Sequence, residues 1–189
     1  MNSNPTRDLI LDSAQALAQA RGFNGFSYAD IAAEVGIRKA SIHHHFPTKH
    51  ALETELLERY RATFIAELNS IESSVSGSVE RLQRYAQLYT NTLSNHCICL
   101  AGMMASDVGA LPEQLKPSLE GFFREHMEWL TKVLAAGKSA GELNFDGSAP
   151  AQASAFLAAL QGGLLMANAM GDDAVFKKLK QTLVSQLKS

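Results

Sequence analysis

The chain has 189 residues, 46% of them apolar, enough for one sizeable domain or a small one joined to a larger one. A formal net charge of -2 excludes a bulk polycation, and two cysteines, Cys97 and Cys99, exclude a disulfide scaffold. The start, MNSNPTRDLI, lacks the apolar core of a signal peptide, so the protein is expected to be intracellular, in the cytoplasm.

Taken in chain order, Thr6 to Arg21 puts Ile10, Ala14, Leu17 and Ala18 on one helical face, and Gly22 suits the end of that helix. Ser27 and Asp30 form a capping box that opens a short helix running to Val35, and Gly36 supplies a tight turn. The next helix, Arg38 to Phe46, buries Ile42 and Phe46 one turn apart until Pro47 stops it. Thr48 then caps a long helix carrying Leu52, Leu56, Tyr60, Phe64 and Leu68. Ser73 to Ser78 is a polar break, and Val79, Leu82, Ala86, Tyr89 and Leu93 resume the helical spacing. Pro112 and Pro117 bracket a connection before a helix from Ser118 to Ala136, and SAGELNFDGSAP is a loop by composition. An uncharged helix over 150–170 and a last helix from Asp172 to Lys188 complete the chain. The fold class is all-α, about nine helices, with an N-terminal three-helix segment and a larger helical remainder.

The stretch GIRKASIHHHFPTK holds three consecutive histidines. Side chains about 100° apart fan around the axis, and no pair has the i, i+4 spacing that lets two imidazoles share a metal, so no metal site or cofactor is expected there. No Asp, Glu or Cys lies between Gly36 and His50, which removes the partners of acid-base catalysis. What remains is a helix, a glycine turn and a second helix rich in basic and hydroxyl groups, the physical recipe of a helix-turn-helix DNA reader. Ala40, Ser41, His43 and His44 point away from the inward Ile42, toward a major groove; Arg38 adds charge, and Lys39 and His45 lie nearer the rim. Thr48 and Lys49 open the following helix, whose free N–H groups suit a phosphate.

The run GFNGFSYADIAAEVGIRKASIHHHFPTKHALETELLERY resembles the N-terminal signature of the TetR family of bacterial repressors, closely from Thr6 to Tyr60 and more weakly beyond. The resemblance implies that Ser27, Tyr28, Lys39, Ser41, His43, His44, His45 and Lys49 contact or flank double-stranded operator DNA. The departure is at 43 and 44, where the family usually carries aromatics. It further implies a helix-turn-helix domain over 1–48 and an effector-binding and dimerisation domain over 49–189, hence a homodimeric, ligand-responsive repressor with no enzymatic activity.

In that larger part, Tyr85, Tyr89, Met103, Met104, Phe122, His126, Met127, Trp129, Phe156, Leu160 and Met166 are candidates to line a cavity for a small apolar or aromatic effector. Met and aromatic stripes at helical spacing are equally the mark of a plain core. His126, alone on an apolar face, is the expected polar handle, with a satisfied core histidine as the competing reading. Small residues Ala155, Ala159, Gly162 and Gly163, with Leu179, Leu183 and Leu187, are expected to form a four-helix seam between two copies.

Three other readings stay open. His96, Cys97 and Cys99 form HCIC, a weak metal pattern or a thiol sensor of redox or electrophiles, though no Lys or Arg lies within ten residues to activate a thiolate. Ala149 to Gly171 is long and uncharged enough to span a bilayer on paper. Its polar residues and acidic flanks favour a helix buried on nearly every side, with no membrane partner. A helical enzyme or a protein-interaction module is the last, and neither G-x-S-x-G nor a phosphate-binding glycine loop is present to support the enzyme.

Overall fold

Residues 5–93, 97–109 and 111–188 are described by the computed structural model. Helix α1 (Pro5–Arg21) buries Ile10, Leu11, Ala14, Leu17 and Ala18 and stops at Gly22, where φ is 75° and the N–H donates to Ala18 O at 2.9 Å. A 3-10 turn over Phe23–Gly25 leads to α2 (Tyr28–Val35), then α3 (Lys39–His45) and the long α4 (Lys49–Ser74). After these come α5 (Ser78–Leu93), α6 (Leu100–Ser106), a 3-10 turn over Glu113–Leu115, α7 (Lys116–Ser139), α8 (Ala149–Met170) and α9 (Asp173–Ser185). Nine α-helices are thus present among the described residues, with a single isolated antiparallel bridge between Leu143 and Lys188.

The chain divides into two compact units, one made of residues up to Ala62 with Leu100–Leu119, the other of Thr63–Cys99 with Glu120–Ser189. The cut differs from the expected domains 1–48 and 49–189: α4 begins at the expected limit and runs without a break through the observed cut after Ala62, and residues 100–119 join the first unit. In the first unit Ile10, Ile31, Ile42, Phe46, Leu52 and Leu56 are closed to solvent. Each such side chain contributes about 1.5–3 kcal/mol on burial. Polar ties hold α1 to α4 around this core: Arg7 pairs with Glu55, and Arg59 donates to Asp12 at 2.7 Å and to Gln15 at 3.1 Å.

In the second unit α8 packs against α5 and α9 through Ala153, Phe156, Leu157, Leu160, Gly163, Leu164 and Ala167. Gly163 permits this close approach: a Cβ there would lie 2.1 Å from Leu179 Cδ2, and that side chain would have to move. Asn144 N–H donates to Leu187 O at 2.8 Å, which anchors the end of the chain and buries Leu187. The expectation that α8 is buried on nearly every side is corrected: a second face carries Leu165, Met166 and Met170, the last 64% exposed. The helix is long and apolar enough to cross a membrane by length and composition, yet its buried stripe packs on helices of its own chain. Pro117, expected in a connection, is instead the second residue of α7, where a missing N–H costs nothing.

Candidate nucleic-acid interface and buried polar core

The reading helix is set by its two ends. At the α2 side, Ser27 is the N-cap: its Oγ accepts from Ala29 N–H at 3.2 Å, and its own N–H donates to Asp30 Oδ2 at 2.7 Å. The bonds from Ser27 hold the Asp30 carboxyl below the usual carboxylate range. Gly36 sits at φ 75°, ψ 31°, and its N–H and that of Ile37 both return to Ala32 O. Nothing lies within 4 Å of where its Cβ would be, so glycine is needed for the left-handed backbone and not for space.

At the far end, Phe46 N–H closes on Ile42 O at 2.7 Å, and the Tyr28 hydroxyl donates to Phe46 O at 2.9 Å. Burial, with a smaller contribution from Glu53, pushes the Tyr28 phenol up to about 12. Tyr28 is only 6% exposed, so its expected contact with DNA is corrected: its hydroxyl is spent inside the protein, where it ties α2 to the end of α3. Its ring meets His43 edge-on at 4.9 Å.

Lys49 is the second correction. Its ammonium donates to Phe23 O and, at 2.6 Å, to Phe26 O, and it stands 4.4 Å above the Phe26 ring. It is a tether for the turn before α2 instead of a free cation for a phosphate. Thr48 Oγ1 accepts from Ala51 N–H at 3.1 Å and so caps α4. Arg7, besides its ion pair, lies 5.1 Å over the Phe46 ring. The expected readers that face outward are Arg38, Lys39, Ala40, His43 and His44, with Ser41 and His45 half-buried beside them. His44 and His45 stack edge to face at 5.3 Å. This leaves a short helix, tied at both ends, presenting Arg38, Lys39 and a row of imidazoles.

The second unit holds a polar chain inside an aromatic cluster. Tyr85 OH lies 2.7 Å from His126 Nδ1 and 3.2 Å from Tyr89 OH, all three side chains being closed to solvent. Phe122 and Phe64 pack on the His126 ring at 4.2 and 5.1 Å, and Phe156 stands 6.4 Å from Tyr85. Burial pushes the His126 imidazolium down to about 4, against a smaller opposing pull from Glu125, so the ring is neutral at neutral pH. Burial also raises the Tyr85 phenol above the usual tyrosine range.

Of the expected cavity residues, Tyr85, Tyr89, Phe122, His126, Phe156 and Leu160 are buried in this unit and Met127 is half-buried. Met103 and Met104 belong to the first unit, and Met166, 59% exposed on α8, is corrected out of the cluster. His126 is corrected as the free polar handle, because Tyr85 already occupies its Nδ1. The group left without a partner is Trp129 Nε1, the buried side-chain nitrogen or oxygen that finds no hydrogen bond among the described residues. A buried donor in that state costs about 1–3 kcal/mol. Trp129 stacks on Tyr85 at 5.4 Å and 20°.

Cys99 is buried, with Gln161 Nε2 at 3.4 Å from its sulfur, and burial pushes the Cys97 thiol up. A raised thiol is the opposite of the lowered one a reactive cysteine needs. His96 lies outside the described residues. No group of three or more His, Cys, Asp or Glu side chains suited to a metal occurs among the described residues. The seam residues are also redistributed. Gly163 and Leu187 are consumed by packing within the chain, Leu179 sits against Gly163, and Leu183 is half-buried. Ala155 is exposed, and Ala159 and Gly162 are half-exposed, on the face that continues to Leu165, Met166 and Met170.

Comparison with known proteins agrees with this geometry. The pattern described as bacterial regulatory proteins, tetR family, matches residues 10–56, and that described as tetracyclin repressor-like, C-terminal domain, matches 78–183. A TetR-family transcriptional regulator from Agrobacterium tumefaciens is 36% identical, covers 98% of both chains and superposes with a TM-score of 0.93. A TetR transcriptional regulator from Legionella pneumophila is 32% identical over the whole of both chains, with a TM-score of 0.87. The HTH-type transcriptional repressor NemR of Escherichia coli (strain K12) is 26% identical over 166 residues, 86% of this chain and 83% of its own length.

Proposed function

Because the chain belongs to the TetR family of bacterial regulatory proteins, we propose that it is a homodimeric repressor that holds operator DNA with α3 and releases it when a small molecule occupies the second unit. The family consists of DNA-binding transcription regulators and not of enzymes, and its members act in the cytoplasm. The observation that carries the reading is the outward set Arg38, Lys39, Ala40, His43 and His44 on a helix fixed at one end by Tyr28 and at the other by the Gly36 turn. Phosphates would be held by Arg38 and Lys39, and base edges read by Ser41, His43 and His44.

Dimerisation is supported by the exposed stripe of α8. Ala155, Ala159, Gly162, Leu165 and Met166 recur at helical spacing, and large apolar side chains in a row on one face are the mark of an interface. Two reading helices related by a two-fold axis then meet two half-sites of a pseudo-palindrome. Selection of bound sequences from random double-stranded DNA tests the reading: a palindromic consensus with salt-dependent affinity is expected, and no enriched sequence would refute it. A change at Met166 is not expected to touch effector response, whereas one in the Tyr85, Tyr89 and His126 cluster is.

A further inference from the structure

This inference rests on the reading of the protein as ligand-responsive and concerns what the ligand is. Trp129 belongs to two environments at once. It stacks on Tyr85 inside the aromatic cluster, and it walls a cleft of about 210 Å³ between α4 and α7, with Ile65 and Leu68 across from it. Its residue is 8% exposed and its Nε1 donor is buried without an acceptor. The cluster's own polar groups bond to one another, Tyr85 to both Tyr89 and His126, and none of them reaches this donor.

Charge narrows the class of molecule. Three carboxylates, Glu72, Glu125 and Glu128, line the cleft against the single cation Lys132, which disfavours an anion at the entrance. The cluster behind Trp129 offers no cation to compensate one: the His126 ring is neutral and the Tyr85 phenol keeps its proton. An anion would be desolvated there without a counter-ion, and a cation would be held by the carboxylates at the entrance instead of leaving them for the inner position. The Trp129 ring, stacked on Tyr85, favours a planar molecule, and the volume of the cleft is below that of drug-sized sites, about 300–1,000 Å³, which limits it to about one ring.

We propose that the effector is a small, uncharged, planar compound with a hydrogen-bond acceptor, of the aryl ketone kind, which enters at the Trp129 cleft and accepts from Trp129 Nε1. Binding would separate Trp129 from Tyr85 and press on Phe64 of α4, the helix whose first turn follows the reading helix. The acceptor, and not the ring alone, provides selectivity, because a site built around a buried donor rejects analogues that leave it unmade.

Trp129 is the chain's one tryptophan, so the ¹H–¹⁵N spectrum of the intact protein contains one indole N–H signal, which reports this donor directly. Acetophenone, ethylbenzene, benzoate and benzylammonium serve as probes that share a ring and differ in acceptor and charge. Acetophenone should move the indole signal downfield saturably and bind at least about tenfold more tightly than each of the other three. In Trp129→Phe, which keeps a ring against Tyr85, calorimetry should show acetophenone reduced to the affinity of ethylbenzene. An indole signal that acetophenone does not move, or benzoate or benzylammonium binding as tightly, overturns the proposal, and either is read on the unmodified protein whether or not the variant folds. Salt-dependent DNA binding by the unmodified protein is measured alongside. DNA binding with an unmoved indole signal sinks this inference alone, whereas absence of DNA binding sinks the regulator reading.

Discussion

The Tyr28 hydroxyl donates to Phe46 O, 2.9 Å away, and so joins the first residue of α2 to the C-cap of α3. A phenol in a family position near DNA thus sets the angle of the reading helix from behind it. Tyr28→Phe keeps the ring against His43 and removes this bond. A loss of about 1 kcal/mol in urea unfolding is expected, together with weaker binding to every DNA sequence and an unchanged consensus. A changed consensus would mean that the hydroxyl reads a base after all.

Lys49 separates structure from charge in the same domain. Lys49→Met keeps the aliphatic stem over Phe26 but leaves the Phe23 and Phe26 carbonyls without their cation. The expected cost is about 1.5–3 kcal/mol of stability, with reduced DNA affinity but an unaltered slope of log affinity against log salt. Lys39→Ala should do the reverse, reducing that slope by about one phosphate equivalent at nearly constant stability. A slope reduced by one in Lys49→Met would restore this lysine to the phosphate contacts.

Much of the first unit was legible before any coordinates, because its signals are local. The Ser27 and Asp30 box, the Gly36 turn and the Pro47 stop act over three or four residues, and the helices begin and end where these place them. The role of Lys49 is not legible in the sequence, because its acceptors are contributed by residues more than twenty positions away, a relationship that periodicity does not encode. The same holds for His126 and Trp129. Both look like polar tips on an apolar face, and which one is satisfied depends on where Tyr85 arrives from α5. Helix α6 leaves no signal in the sequence, since seven residues with a glycine among them offer too short a period. Gly163 was correctly singled out as permitting close helix approach, but the approaching helix is α9 of the same chain.

His126 makes stability depend on pH. Its folded value of about 4 lies below the ordinary 6.5, so between these limits the unfolded chain takes up a proton that the folded chain refuses. The contribution is complete above pH 6.5, falls away as pH drops toward 4, and changes no further below that, amounting to about 3 kcal/mol in all. His126→Asn should be less stable at pH 7 but should lose this component, giving a shallower decline between pH 6.5 and 4 in denaturant titrations. Parallel declines in the two proteins would show that carboxylates, and not this imidazole, control the acid limb.

Assembly turns on the α8 face. Met166 is 59% exposed, so Met166→Glu should cost the folded chain no more than about 0.5 kcal/mol, as surface substitutions do. Placed opposite its own symmetry mate in an apolar seam, however, the same carboxylate is desolvated next to a like charge, which strongly opposes association. Sedimentation should therefore give a monomer of native helical content. Operator affinity should fall to that of one reading head, because the second half-site is no longer held at high effective concentration. Leu165→Glu, on the same face, should behave alike. Leu187→Glu differs in kind: that side chain is buried within its own chain, and its charge should unfold the protein instead of dividing it. A Met166→Glu protein that sediments as a dimer would move the seam off this stripe, to another face of α8 or α9.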